Sequence, residues 1–432
     1  MQNITRRNFV KTAAVTGAAL PAFNILGAQS LNGLNARKIK VGLIGCGGRG
    51  KGALKNFMDA AGLLGIPVEV VAVADAFQDR VDGAVRQFQV DPALAHVGFD
   101  AYHKVAASDA EIVLMATPPS FRPVHFRACV EAGKNCFIEK PVAVDPAGVR
   151  SIIETGELAA KKGLCVVAGT QRRHQKDYLE MIAQVEAGAI GPVVGGAIYW
   201  NMGVLWKAIR KPGMDNREFL ARNWLNFTEL SGDHIVEQHV HQMDVMNWVM
   251  GRPPKALIGY GGCARREAAG GNQFDFFNVD LDFGDGIHIH SQCRQIADCY
   301  NRVGETFRGT EGYTNGPRVF GKEVAIQPVK VDHSAGMVQE HVDLLRAIRG
   351  KDGPINGSRE VAEATLCAIG GRISAYTGKL IRWSDLTTNT ESEFYNLTLA
   401  PAAIDFERGD VAMPEMAPAL PGSEKDWKVI NA

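Results

Sequence analysis

The chain has 432 residues, 47 of them basic and 47 acidic, for a formal charge of zero. That balance, with no Lys- or Arg-rich run, argues against nucleic acid and anionic membrane surfaces as partners and leaves a substrate that need not be charged. The length suits two domains. The eight cysteines are irregularly spaced and contain no CxxC, so they mark neither a zinc site nor a disulfide framework.

In chain order, the first signal is Thr5-Arg6-Arg7-Asn8-Phe9-Val10-Lys11, a twin arginine ahead of an uncharged stretch from Thr12 to Ala36. Rich in Ala, Gly, Thr and Asn, that stretch is too weakly apolar for a comfortable membrane span. Residues 1–36 read as a twin-arginine export signal and linker, with cleavage after Ala28. The competing reading is a disordered basic N-terminus on a cytosolic enzyme. The expectation is therefore a periplasmic protein that meets the twin-arginine (Tat) export machinery and has no membrane contact once the signal is cleaved. Setting Arg6, Arg7 and Lys11 aside leaves 44 basic against 47 acidic residues. Because this route carries folded proteins, a cofactor would be loaded before export and held tightly. Disulfides are not needed, and Cys293 with Cys299 is the one pair worth testing.

Residues 37–170 read as a nucleotide-binding α/β domain. Strand candidates Ile39–Ile44, Val68–Ala74, Glu111–Ala116, Asn135–Ile138 and Leu164–Ala168 alternate with helices at Lys51–Ala61, Gln78–Gln89, Arg122–Ala132 and Pro146–Lys161. Such alternation requires a parallel sheet with helices on both faces. Between the first strand and helix lies Gly45-Cys46-Gly47-Gly48-Arg49-Gly50, a GxGxxG turn. Gly45 permits the turn, Gly47 lets backbone approach a pyrophosphate, and Gly50 allows close helix–strand packing. The helix N-terminus then offers free N–H groups and partial positive charge. Asp75 ends the second strand where a ribose-binding acid is expected, which favours NAD over NADP, although Arg49 and Arg80 lie near enough to offer a phosphate partner. Thr117-Pro118 and Glu139-Lys140-Pro141 end two further strands at the same carboxyl edge, so Thr117, Pro118, Glu139 and Lys140 join the candidate cofactor residues. Lys140 is also a candidate catalytic residue; the plainer reading of Glu139-Lys140 is a solvated surface pair.

After Gly188-Ala-Ile-Gly-Pro192 the texture changes. Residues 171–390 read as an α+β substrate and oligomerisation domain on an open, mostly antiparallel sheet. Its strand candidates are Val193–Trp200, Lys255–Gly261, Phe274–Phe283, Gly286–Cys293, Gly304–Arg308 and Tyr313–Val319, with a hairpin signal at Gly284-Asp285-Gly286. One long helix, Asp233–Met250, interrupts them, and helices Met337–Arg349 and Arg359–Thr377 return toward the first domain. Residues 391–432 read as a C-terminal arm.

The long helix carries His234, Glu237, His239, His241 and Asp244, three of the chain's eleven histidines within eight residues. On a continuous helix Glu237 and His241 are i,i+4 neighbours, and a carboxylate there raises the imidazole pKa and fixes its tautomer. That makes His241 a candidate acid–base group with Glu237 as its partner. The alternatives are a polar helix face or a zinc site. His239 falls on a different face and HExxH is missing, so no metal is assigned. At the domain junction, Arg172 and Arg173 after the last Rossmann strand and Tyr199 and Trp200 on the first strand beyond it are candidate substrate contacts, with His234 and His239.

GxGxxG near the mature N-terminus, Glu-Lys-Pro after the fifth strand, then Gly-x-x-Gly-Pro opening a β-rich half resemble the glucose–fructose oxidoreductase/inositol dehydrogenase (Gfo/Idh/MocA) family over residues 38 to 385. The resemblance implies a Rossmann domain plus an open-faced sheet domain, with a sugar held between the sheet and the nicotinamide, and a homo-oligomer. It matches the family lysine to Lys140 and the acid-x-x-x-His pair to Glu237 and His241. Glu237 stands where the family usually has Asp, and His239 where a small residue is usual. Exported members include sugar oxidoreductases and NAD-dependent glycosidases. One glycosidase branch lacks the lysine and places a His where this chain has Gln238, so Lys140 favours an NAD(P)-dependent oxidoreductase acting on a carbohydrate hydroxyl.

Overall fold

The computed structural model describes residues 37–264, 270–350 and 352–422, so the twin-arginine stretch lies outside the described residues. Short apolar runs closed by glycine turns become six strands: β1 (Ile39–Ile44), β2 (Val68–Asp75), β3 (Ala95–Val97), β4 (Ile112–Met115), β5 (Asn135–Ile138) and β6 (Val166–Ala168). All pair in parallel, in the order β3-β2-β1-β4-β5-β6. The strands are apolar on both faces because helices cover both. Leu43, Val73, Leu114 and Phe137 pack toward the helix Gly48–Leu63, while Ile44, Ala72, Val113 and Ile138 pack on the other side. β3 and the helix Tyr102–Ala106 were not expected, since three and five residues carry too little periodicity to read. The strand order reverses between β1 and β4. The loops after those two strands, holding the Gly-rich turn and Thr117-Pro118, therefore face one crevice.

The second sheet has eight strands: β7 (Val193–Met202), β8 (Ala256–Gly262), β9 (Phe276–Gly284), β10 (Ile287–Gln295), β11 (Arg302–Gly309), β12 (Tyr313–Asn315), β13 (Arg318–Phe320) and β14 (Ile381–Arg382). Their order is β13-β12-β11-β7-β10-β9-β8-β14, antiparallel except for the β7–β10 pair. The expected single strand over Tyr313–Val319 is instead a hairpin, turned at Gly316 with φ +56°. The expected β9–β10 hairpin turn holds, with positive φ at Gly284, Asp285 and Gly286.

Alternation along these strands makes the sheet one-sided. Ile198, Val279, Leu281, Ile289 and Cys293 are buried beneath helices Val240–Met250 and Ser358–Thr377, while His288, His290 and Asn278 on the other face are exposed. Gly371 lets the longer helix lie close to the sheet: a Cβ there would sit 3.1 Å from Val279. As expected, the two late helices return to the Rossmann half. Gly336–Ile348 packs on Gly48–Leu63, and Ser358–Thr377 packs on Pro146–Lys161.

One further expectation needs correction. The helix over Asp233–Met250 is two helices, His234–Glu237 and Val240–Met250, broken at Gln238-His239. All eight cysteines are free, with Cys293 buried and Cys299 exposed, so the pair flagged for a disulfide does not form. Among the described residues no helix is long and apolar enough to cross a membrane.

Candidate functional site

The crevice is built first by backbone. Gly45 adopts φ +94°, and a Cβ there would meet the β4 chain end at Ala116, 2.8 Å away. At Gly50 a Cβ would lie 1.7 Å from the Gly45 carbonyl oxygen, so only glycine lets this helix start against β1. By contrast, a Cβ at Gly48 would meet nothing within 4 Å: the backbone is open toward the crevice, as a bound pyrophosphate requires. The crevice widens into a cavity of about 450 Å³ lined by Gly45, Gly47, Gly48, Asp75, Thr117 and Pro118, among others. That volume and the glycine cradle fit a dinucleotide.

Asp75 closes the turn from beneath. One carboxylate oxygen accepts from Cys46 N at 2.7 Å and the other from Phe77 N at 3.1 Å. Burial raises its pKa, opposed by these two hydrogen bonds. Each carboxylate oxygen keeps a lone pair that ribose hydroxyls can use. The Cys46 side chain is fully buried, with Sγ on the Ala74 carbonyl, so neither its thiol nor its N–H is free for a cofactor.

Arg49 and Glu139 turn out to be partners of each other. The Arg49 guanidinium donates to Glu139 and lies 3.6 Å from the fully buried Glu340. Burial, together with the nearby Glu139 charge, holds the Glu340 carboxyl well above the usual range, opposed by the Arg49 charge. Glu139 is 4% exposed and also accepts from Lys140 N. It anchors the Gly-rich loop to the Glu-Lys-Pro turn, which corrects its assignment as a cofactor contact.

Lys140 reaches across to the second half of the chain. Its Nζ donates to the Glu237 carbonyl at 2.6 Å and to Glu237 Oε1 at 3.1 Å, and the other carboxylate oxygen accepts from the Gln238 amide. Arg122, buried and missed by sequence reasoning, donates to the Pro141 carbonyl and so fixes the turn that aims Lys140. Burial pushes its guanidinium pKa down to about 10.

His241 does not have the partner its spacing implied. With the helix broken after Glu237, both carboxylate oxygens of that residue are engaged elsewhere, and the imidazole stacks instead on Trp200 (5.5 Å, 24°). Burial holds its pKa well below the usual histidine range, and the Lys140 and Arg172 charges push the same way. The expectation of a raised pKa is therefore reversed. A neutral imidazole beside a lysine can accept a proton, and the lysine can donate a hydrogen bond to the same developing oxyanion.

The other expected substrate contacts divide. Trp200 and Arg172 are at the site: Trp200 stacks on His241, and Arg172 donates to Gln242 once that amide is turned, lying 6.0 Å from the Trp200 ring. Tyr199 points to the opposite, open face of the sheet, where Arg302 covers its ring at 3.7 Å. Arg173 is spent on the buried Asp244, at 2.8 Å and 3.0 Å, which also takes Asp244 out of the His241 face. His234 is packed on Phe277 and paired with Asp233, and His239 is bonded to Ser291 at 2.9 Å; both are at most 1% exposed. Neither faces the cleft. Among the described residues no group of His, Cys, Asp and Glu is arranged to hold a metal ion.

Sequence reasoning also missed the far wall of the cavity. Phe77, Phe99 and His125 come from the Rossmann half; Trp206, Arg222 and Trp224 come from beyond β7. Only the aromatic density of residues 199–227 hinted at the latter group.

Comparison with known proteins agrees with this architecture. Residues 39–170 match the model described as "Oxidoreductase family, NAD-binding Rossmann fold" of GFO/IDH/MocA, and residues 178–314 match the GFO/IDH/MocA C-terminal domain. A glycosyl hydrolase family 109 protein of Shewanella baltica is 28% identical over 229 residues, 48% of each chain. The alpha-N-acetylgalactosaminidase of Shewanella oneidensis is similar to the same degree and extent. The chain thus spans about half the length of the curated relatives it matches. The WlbA dehydrogenase of Bordetella pertussis, solved with NADH and UDP-GlcNAcA, superposes with a TM-score of 0.63 at 18% identity, over 80% of this chain and 99% of that one. This last likeness is one of fold.

Proposed function

Because the chain belongs to the Gfo/Idh/MocA oxidoreductase family, we propose that it oxidises a hydroxyl of a sugar or glycoside by hydride transfer to a tightly held NAD. The observation that carries this reading is the glycine-cradled cavity with Asp75 in its wall; Lys140, which follows β5, and His241 support it, the lysine charge lying near enough to help lower the imidazole pKa. Bound nicotinamide supplies the two-electron acceptor. Gly47, Gly48 and the helix start behind them would hold its pyrophosphate, and Asp75 its ribose. His241 takes the hydroxyl proton while Lys140 hydrogen-bonds the oxygen as negative charge grows. Glu237 fixes the lysine by two contacts, and Trp200 fixes the plane of the imidazole.

A second reading is favoured by the glycosidase relatives. There the same residues would oxidise a ring hydroxyl transiently. The resulting ketone acidifies the neighbouring C–H, the aglycone is eliminated, water adds, and the hydride returns. One experiment separates the two: purified protein incubated with a panel of sugars and aryl glycosides. A keto-sugar product is expected, one per bound NAD where no second sugar takes the hydride; aglycone released without net NADH selects the second reading, and neither product removes both. The nucleotide freed by denaturing the same sample is expected to be NAD, because Asp75 repels a 2′-phosphate; NADP as the main species overturns that assignment.

Export belongs to this proposal too, resting on Arg6-Arg7 and the weakly apolar stretch after them. Changing both arginines to lysine is expected to strand the protein in the cytoplasm with unaltered purified activity. Undiminished periplasmic recovery removes the argument.

A further inference from the structure

The adenosine half of the cavity is covered by chain from outside the Rossmann half. The helix Asn216–Arg222 and the turn after it bring Arg222 and Trp224 to the lining of the cavity that also holds Asp75 and Phe77. Arg222 meets Asp79, in the first turn of the helix after β2, with two contacts of 2.9 Å and 3.3 Å. Its guanidinium also lies 3.9 Å over the Phe77 ring, and Glu218 at 2.8 Å holds its remaining edge. Phe77 is the residue whose N–H caps the Asp75 carboxylate, so the cover is fastened to the ribose corner itself.

A second tie comes from the C-terminal arm. Phe406, on the short helix Ala403–Arg408, packs on Phe99 (5.3 Å) and Phe121 (5.1 Å), and Glu407 accepts from the Tyr102 hydroxyl at 3.1 Å. The two ties differ in kind. The aromatic cluster is interior, whereas the Arg222 and Asp79 side chains keep 22% and 60% of their exposure. The ion pair sits on the rim, where it can open without unpacking a core.

We propose that Arg222 is a retention latch: its fork on Asp79 and its face on Phe77 hold residues 216–224 over the adenosine half and keep the nucleotide bound between turnovers. This rests on reading the cavity as the dinucleotide site. A latched cofactor must be re-reduced or re-oxidised in place, so each turnover has to be redox-neutral, either through a second substrate or through return of the hydride to the first.

The test uses the full chain and a fluorescent etheno-NAD probe. Wild-type protein is expected to carry nucleotide through gel filtration and to exchange it slowly. Arg222→Ala is expected to exchange about tenfold faster, since it loses an exposed two-point ion pair and a cation–π contact. Arg222→Lys falls between, keeping charge without the fork. Asp79→Asn, a surface change that leaves the fold intact, is expected to accelerate exchange in the same direction, which covers the case where Arg222→Ala does not fold. Exchange at the wild-type rate in Asp79→Asn and the folded Arg222 variants overturns the latch while leaving the cavity assignment standing. Failure of wild-type protein stripped of its own nucleotide to bind the probe removes the cavity assignment itself.

Discussion

Replacing His241 with alanine is expected to lower turnover by about 10²–10⁴-fold, the usual worth of a positioned acid–base group, while leaving bound nucleotide in place. The two outcomes separate because the residues proposed to cradle the pyrophosphate and ribose, Gly47, Gly48 and Asp75, belong to the first sheet, whereas His241 hangs from a helix packed on the second. The pH dependence adds an independent check on the wild-type enzyme. In the proposed reaction the deprotonated imidazole is the active form, so a depressed pKa would keep it active further into acid. The acid limb of kcat/KM should therefore lie below the ordinary histidine value of about 6.5. An acid limb above that value would restore a carboxylate partner for the imidazole. Near-normal turnover in His241→Ala with NAD still bound would show that this helix is only a polar face.

Much of the Rossmann half was legible because its signals are local. GxGxxG, Asp75 and Glu139-Lys140-Pro141 each sit at a strand end whose bounds are written in a few apolar residues. The errors cluster where long-range contacts decide. Glu237 and His241 have i,i+4 spacing, but the chain breaks between them. Asp233, held at φ +74° by bonds from Phe274 and Tyr376, starts one short helix, and His239, drawn to Ser291, starts the next. Strand alternation made Tyr199 and Trp200 face opposite ways, yet only the packing of Val240–Met250 on β7 decides which of them meets the site. The Arg222–Asp79 contact joins residues 143 apart and has no sequence signature.

Lys140→Ala is expected to cost about 10²–10³-fold in kcat, as for loss of one donor to a developing oxyanion, with a smaller change in KM. What distinguishes the observed geometry from the spacing-based expectation is the behaviour of Glu237 in that background. Glu237 is a positioning residue that grips the lysine through its carboxylate and its carbonyl. Glu237→Gln keeps the carbonyl contact and loses the charge, so alone it should cost about tenfold, the scale of one charge-assisted hydrogen bond. Once Lys140 is alanine there is nothing left to grip, and adding Glu237→Gln should cost little more. A carboxylate acting through His241 would instead keep a clear share of its cost once the lysine is gone, because the imidazole it serves is still present. Additivity in that cycle would return Glu237 to the imidazole; a double variant no slower than Lys140→Ala places it on the lysine. Lys140→Ala combined with His241→Ala should likewise fall short of the product of the two single losses, because both act on one substrate oxygen.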